Sequence, residues 1–285
     1  MTELPSFAMR VSDVFASSVF LTEKLGFTLT EHKPDEDIAY LLDSDGDTLL
    51  LAGPAAQENL AVYLAAQHSI ARPGESIGFN GGDLEARQAD LLSKGINDLQ
   101  ITQNRIGDRI LAVKMFDNYT FHYTVPATHA FDDILSMYAH LSAELDGALT
   151  GLSEAEMGLA LHEDSWSIRQ IIHHLADCDI LFAERMKVQL SSSGAVMADP
   201  HPVGNASVST GSEYRDRPVR TSVALFRAFH EHILDIVKYV PNAGERSIDG
   251  NNGQKSTFSQ MVHLIVGHTG EHLDEILEIR RKYGK

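Results

Sequence analysis

Hydrophobic positions along the 285-residue chain follow two rhythms. Up to Val125 they fall in short runs with strand alternation, separated by Gly, Pro, Asn and Asp. Pro126 ends that pattern, and from Phe131 they recur in steps of three or four, the spacing of one helix face. Four long helical segments are predicted after the change. Phe131–Leu149 aligns Ile134, Tyr138, Leu141 and Leu145, and Ser167–Leu190 aligns Ile168, Ile171, Leu175 and Phe182. Ser222–Val240 aligns Leu225, Phe229, Ile233 and Ile236, and Ser256–Tyr283 aligns Met261, Ile265, His268, His272, Ile276 and Ile279. Amphipathic segments of this length predict a four-helix bundle. The join Ser191–Val219, rich in Ser, Gly and Pro, predicts a long surface crossover.

The first half contains a repeat. Phe7–Glu31 and Ser76–Gln100 each begin with a strand pattern, reach an Asp placed to cap a helix (Asp13, Asp83), and stop that helix at a glycine (Gly26, Gly95). Strand-like runs follow each helix: Phe27–Glu31, Ala39–Asp43 and Thr48–Ala52 in one copy, Leu99–Thr102, Ile110–Phe116 and Tyr119–Val125 in the other. The unit is βαβββ, present twice, with Ala55–Arg72 joining the copies as a helix or loop and Pro73-Gly74 ending it. The expected fold is α+β in two domains, paired βαβββ modules over residues 1–126 followed by an all-α four-helix bundle over 130–285.

The chemistry of interest sits on helix faces that seek the core. His268 and His272, four residues apart, lie on the apolar stripe of the last segment, and His174 lies on the seam Ile171, His174, Cys178, Leu181 of the second. A buried imidazole needs a partner for each ring nitrogen, and a metal ion satisfies several rings at once. His173 should point about 100° away from that seam. Cys178 reads either as a small buried apolar side chain or as a soft ligand. Asp177 either orients a ligand or faces solvent, Glu271 is a weak candidate for a general base, and His230, His232 and His263 are expected at the surface or rim or off the ligand face. Trp166 reads as a packing anchor.

Bulk properties narrow the classes. A formal charge of −17 repels phosphates and anionic lipids, so neither nucleic acid nor membrane is an expected partner. No apolar run approaches the ~20 residues that span a bilayer. One cysteine, and an N-terminus without the pattern of a secretory signal, predict a cytoplasmic protein.

Two resemblances sharpen this reading. Val11-Ser12-Asp13, Phe20 and Lys24-Leu25-Gly26-Phe27 resemble the entry signature of the glyoxalase/bleomycin-resistance (vicinal oxygen chelate) superfamily, whose paired modules form a small-ligand cup. That resemblance places Ser6 at the usual first metal-ligand position, none in Thr48–Ala52, and His122 at the terminal one, so the first domain is expected to be a metal-free ligand binder or a dimerisation scaffold, and the chain a homodimer. The second half is similar to the DinB-like (YfiT-like) bundles, with Trp166-Ser167 leading to His174-Leu175 and His268-Thr269-Gly270-Glu271-His272 on the last helix. It implies His174, His268 and His272 as ligands of a divalent ion, zinc or nickel ahead of manganese or iron. The expected function is that of a metal-dependent hydrolase, or a transferase using a low-molecular-weight thiol, acting on a small molecule, with the first domain shaping or covering the site. Two alternatives stay open: a non-catalytic sequestering protein of the bleomycin-resistance type, and a role in assembly alone. Neither catalytic nor cofactor-binding residues can be named from the sequence.

Overall fold

A computed structural model describes residues 7–44, 46–56, 76–163, 165–197, 211–250 and 255–285. The chain divides into two compact units, with the change at Ala127/Thr128. Beyond Ala56 the expected link Ala55–Arg72 lies outside the described residues, as do Pro73-Gly74, Ser6 and residues 198–210 of the crossover.

In the first unit β1 (Phe7–Arg10) leads into α1 (Val14–Leu25), then β2 (Thr28–Lys33), β3 (Ile38–Leu42) and β4 (Thr48–Ala52). The copy runs β5 (Ser76–Asn80), α2 (Leu84–Ser93), β6 (Ile101–Gln103), β7 (Arg109–Lys114) and β8 (Thr120–Val125). The sheets have matching orders, β1-β4-β3-β2 and β5-β8-β7-β6. In each, the helix carries the chain to the far edge, and the meander returns until the last strand lies parallel to the first. Both helices start as expected, with Asp13 and Asp83 accepting from the amides of Ala16 and Ala86 at 2.9 Å. Both stop at a glycine with positive φ, 77° at Gly26 and 80° at Gly95, a conformation that a Cβ disfavours.

The two modules share one core, in which Met9, Leu21, Leu41 and Leu51 join Phe79, Leu111, Phe121 and Tyr123. Tyr119 donates to the Arg10 carbonyl at 2.7 Å and the Ser12 amide donates to Asp117 at 2.7 Å, tying copy to copy. On the other face of the first sheet Ala8, Ile38, Leu50 and Ala52 are buried. The corresponding face of the second sheet, with Ala112, Lys114, His122 and Thr124, stays open or half-buried.

The second unit holds α3 (Phe131–Leu149), α4 (Ile168–Ser191), β9 (Ala195–Met197), α5 (Arg220–Val237), β10 (Ser247–Gly250), β11 (Lys255–Thr257) and α6 (Phe258–Lys282). Around the bundle α3 neighbours α5 and α6, and α4 neighbours the same two. Two expectations are corrected. The crossover does not lie wholly at the surface, because Tyr214 is buried, and it holds a short strand, β9, paired in parallel with β10. The buried face of α5 is Ser222, Phe226, His230 and Ile233, one residue round from the expected stripe, because a buried histidine holds a position that an apolar count passes over. Among the described residues no helix is long and apolar enough to cross a membrane.

Candidate metal centre

Two capping boxes set the helices that carry the histidines. At the start of α4, Ser167 Oγ accepts from the Gln170 amide at 3.3 Å while Gln170 Oε1 accepts from the Ser167 amide at 3.1 Å. At the start of α6, Thr257 and Gln260 make the same exchange at 3.2 and 2.8 Å. The β10–β11 hairpin feeds directly into that cap, and Gln189 of α4 donates to the Ser256 carbonyl at 3.0 Å. These bonds tie the end of α4 to the start of α6.

His174, His268 and His272 meet between the two helices. Ring centres lie 5.1 Å apart for His174 and His268, and 4.9 Å for each with His272. His174 Nε2 and His268 Nε2 are 3.1 Å apart. His272 Nδ1 donates to Glu275 at 3.2 Å, which leaves its Nε2 as the available donor atom. The Trp166 ring packs edge-on to His174 at 4.8 Å and stacks over His272 at 6.3 Å, while Phe182 closes on His268 at 6.2 Å. Trp166 is therefore more than a packing anchor at the helix start, since its ring walls the cluster.

Such surroundings favour neutral imidazoles. Burial first, then His268 and His272, push the His174 pKa down to about 2. Burial and then His272 push His268 down to about 3. Neutral rings are the state in which histidine binds a metal, and imidazoles suit a divalent ion of borderline softness. The nitrogens of His174 and His268 converge, whereas His272 is brought close by its ring centre and stands outside the tightest donor group. Cys178, one turn along α4, brings its Sγ to 3.6 Å from both ring nitrogens of His174. Donor atoms of His174, Cys178 and His268 lie within 4.8 Å of one another, the one group of three such residues among those described. Burial, with Asp179 and Asp177 nearby, raises the Cys178 thiol to about 12.

The other candidates separate from this cluster. His173 is buried but fully engaged: its Nε2 donates to the Arg217 carbonyl at 3.1 Å, and its Nδ1 accepts from the Ser222 hydroxyl at 2.7 Å. Asp177 accepts from the Tyr214 hydroxyl and orients no ligand. Glu271 and His232 are exposed, and His263 packs against His129 at 5.5 Å. His230 corrects the expectation of a rim position. It is 2% exposed, stacked on Tyr138 at 4.4 Å and packed on Phe226 at 4.1 Å. Its Nε2 approaches a carboxylate oxygen of buried Asp179 at 3.1 Å without the alignment of a good hydrogen bond. Burial raises the Asp179 carboxyl, and the nearby His230 opposes that rise. The spacing Phe226, His230, Ile233 was the available signal for this face. In the first unit His122 is half-buried, with its pKa lowered by burial.

Known proteins resemble the chain in parts. A relative in Halalkalibacterium halodurans, provisionally named as a metal-dependent hydrolase, is 26% identical over 137 residues, 48% of this chain and 78% of its own. The solved structure of YfiT from Bacillus subtilis superposes with a TM-score of 0.49 at 19% identity, covering 57% of this chain and 94% of that one. A glyoxalase/bleomycin resistance protein/dioxygenase from Nocardioides superposes with a TM-score of 0.31 at 16% identity, over 46% of this chain and 91% of that one. Within the helical half, the DinB superfamily model matches residues 137–276, a span that contains His174, His268 and His272.

Proposed function

We propose that the chain is a metal-dependent enzyme acting on a small molecule, a hydrolase first and a low-molecular-weight-thiol transferase second, with one divalent ion held by His174, His268 and His272. The observation that carries this reading is the meeting of three imidazoles from two helices, with ring centres 4.9–5.1 Å apart. Relatives of the helical domain bear the name of metal-dependent hydrolase, which accords with it. Imidazoles are neutral ligands, so they leave the charge of the ion unquenched, and three of them leave a coordination position open. An ion held there supplies Lewis acidity, polarising a substrate and acidifying a nucleophile beside it. Glu275 fixes the His272 ring, and Trp166 with Phe182 keeps the cluster apolar on its flanks. The N-terminal unit supplies a small-molecule-binding fold and pairs the chain as a homodimer.

Metal analysis of tag-free protein, before and after chelation, tests the reading alongside hydrolytic and thiol-transfer assays. One divalent ion per chain is expected, with activity lost on chelation and restored by reloading. Protein that neither retains nor takes up an ion would overturn it.

The metal-free protein carries a pH signature. Folded, His174 and His268 hold their pKa values near about 2 and about 3; unfolded, both protonate near about 6.5. The unfolded chain thus binds protons that the folded one refuses. Stability is full above about pH 6.5 and falls as pH drops toward about 3, by on the order of 1 kcal/mol per pH unit for each ring. Urea unfolding of the chelated protein at several pH values should show this slope. A variant with both rings replaced by Gln should lose it, and an unchanged slope would refute the assignment.

A further inference from the structure

The end of α6 grips the chain that leads from α3 into α4. Arg280 donates to the Ala148 carbonyl at 2.6 Å, Lys282 to the Leu161 carbonyl, and the Tyr283 hydroxyl to the Ala160 carbonyl at 3.0 Å. Ala160 in turn bridges Ser167 in antiparallel fashion, and the Ile168 amide donates to the Leu159 carbonyl at 3.0 Å. Trp166, whose ring walls the histidine cluster, is the residue just before Ser167. We propose that Lys282 and Tyr283 are positioning residues of the metal centre: by holding Ala160 and Leu161 they set the Trp166 ring against His174 and His272. The inference rests on the metal-site reading above and deepens it.

These contacts do little for the bundle core. The last buried residue of α6 is Ile279, whereas Lys282, Tyr283 and Lys285 are exposed. Lys285 pairs with Glu156 at the surface, where an ion pair adds little of its own. What the two donors fix is the backbone of the connection, two residues whose strand-like pairing reaches Ser167 and Ile168. Tyr283 follows His272 by eleven residues, three helical turns, so one face of α6 serves both the ligand and the connection, about 16 Å further along. The same helix thus carries two of the imidazoles and the hold on the ring that covers them. An apolar ring 4.8 Å from His174 keeps water from that flank, where a lower local dielectric strengthens the field of a bound ion.

The chain contains one tryptophan, so its emission has one source. Metal-free, full-length protein is compared with a Lys282→Met, Tyr283→Phe double variant, each change removing a donor and keeping most of the side chain. The control is Lys238→Met with Tyr239→Phe, a similar step at the end of α5, where Lys238 pairs with Asp235 and Tyr239 is 85% exposed. The first variant should show a larger acrylamide quenching constant and red-shifted emission, with a urea midpoint by circular dichroism close to that of the wild type; the control should match the wild type in all three. Cobalt(II), bound to one equivalent in both, should quench Trp166 more strongly in the wild type than in the first variant. Equal acrylamide quenching in the wild type and the first variant, or a rise matched by the control, overturns the role of Lys282 and Tyr283 and leaves the histidine site standing. Failure of the wild type to bind cobalt overturns the metal-site reading, and this inference with it. Should the double variant fail to fold, Tyr283→Phe alone decides by the same measurements.

Discussion

His268→Ala should bind metal far more weakly than the wild type, by more than the roughly 10–100-fold lost when only a supporting group around a ligand is removed. The ring of His268 stands against both partner imidazoles, so its removal takes one donor and opens the shell to water. Stability should follow. An ion present at about a thousand times its dissociation constant adds about 4 kcal/mol to the unfolding free energy, and the variant forfeits most of that. The comparison is His173→Ala, on α4 beside His174 and more deeply buried than His268. Its ring is engaged with Ser222 and Arg217, so this variant should lose stability yet keep one ion per chain. Metal analysis and urea unfolding with and without chelator separate the two. Full stoichiometric metal in His268→Ala would remove the basis for an enzymatic site.

His230→Leu should be the most damaging single change away from the metal cluster. It strips buried Asp179 of the group 3.1 Å away and breaks the stack on Tyr138. Removing one member of a buried pair costs about 3–5 kcal/mol, because the remaining charge is left unpaired in a poor solvent. Replacing both Asp179 and His230 with Leu should recover most of the loss, since a well-packed apolar pair is often as stable as a buried ionic one. Denaturation midpoints of the single and double variants measure this. Equal midpoints for the two would show that Asp179 carries no charge that His230 balances. Metal content should survive in the single variant wherever the fold does.

Local rules were legible throughout the chain. Asp13 and Asp83 cap helices because a short side-chain acceptor meets exposed amides, and Gly26 and Gly95 end them because a left-handed residue is least strained without a Cβ. The βαβββ repeat followed from strand alternation around those helices, and the bundle from four stripes of helical period. Sequence spacing also placed His268 with His272, and His174 with Cys178, since residues four apart share a helix face whatever surrounds them. Which faces meet is a matter of packing between segments distant in sequence. Only the tertiary structure brought α4 against α6 and so set the His174 ring against those of His268 and His272. The same holds for the polar interior. His230 was assigned to the rim because periodicity counts histidine as polar, whereas a carboxylate from α4 and a ring from α3 make its burial tolerable. The strand Ala195–Met197 likewise escaped notice, because three residues carry too little pattern and its partner Ser247–Gly250 lies far along the chain. What neighbouring residues impose on one another, the sequence determined by itself; what a residue finds across the core was decided by the fold, because no spacing rule reaches between helices.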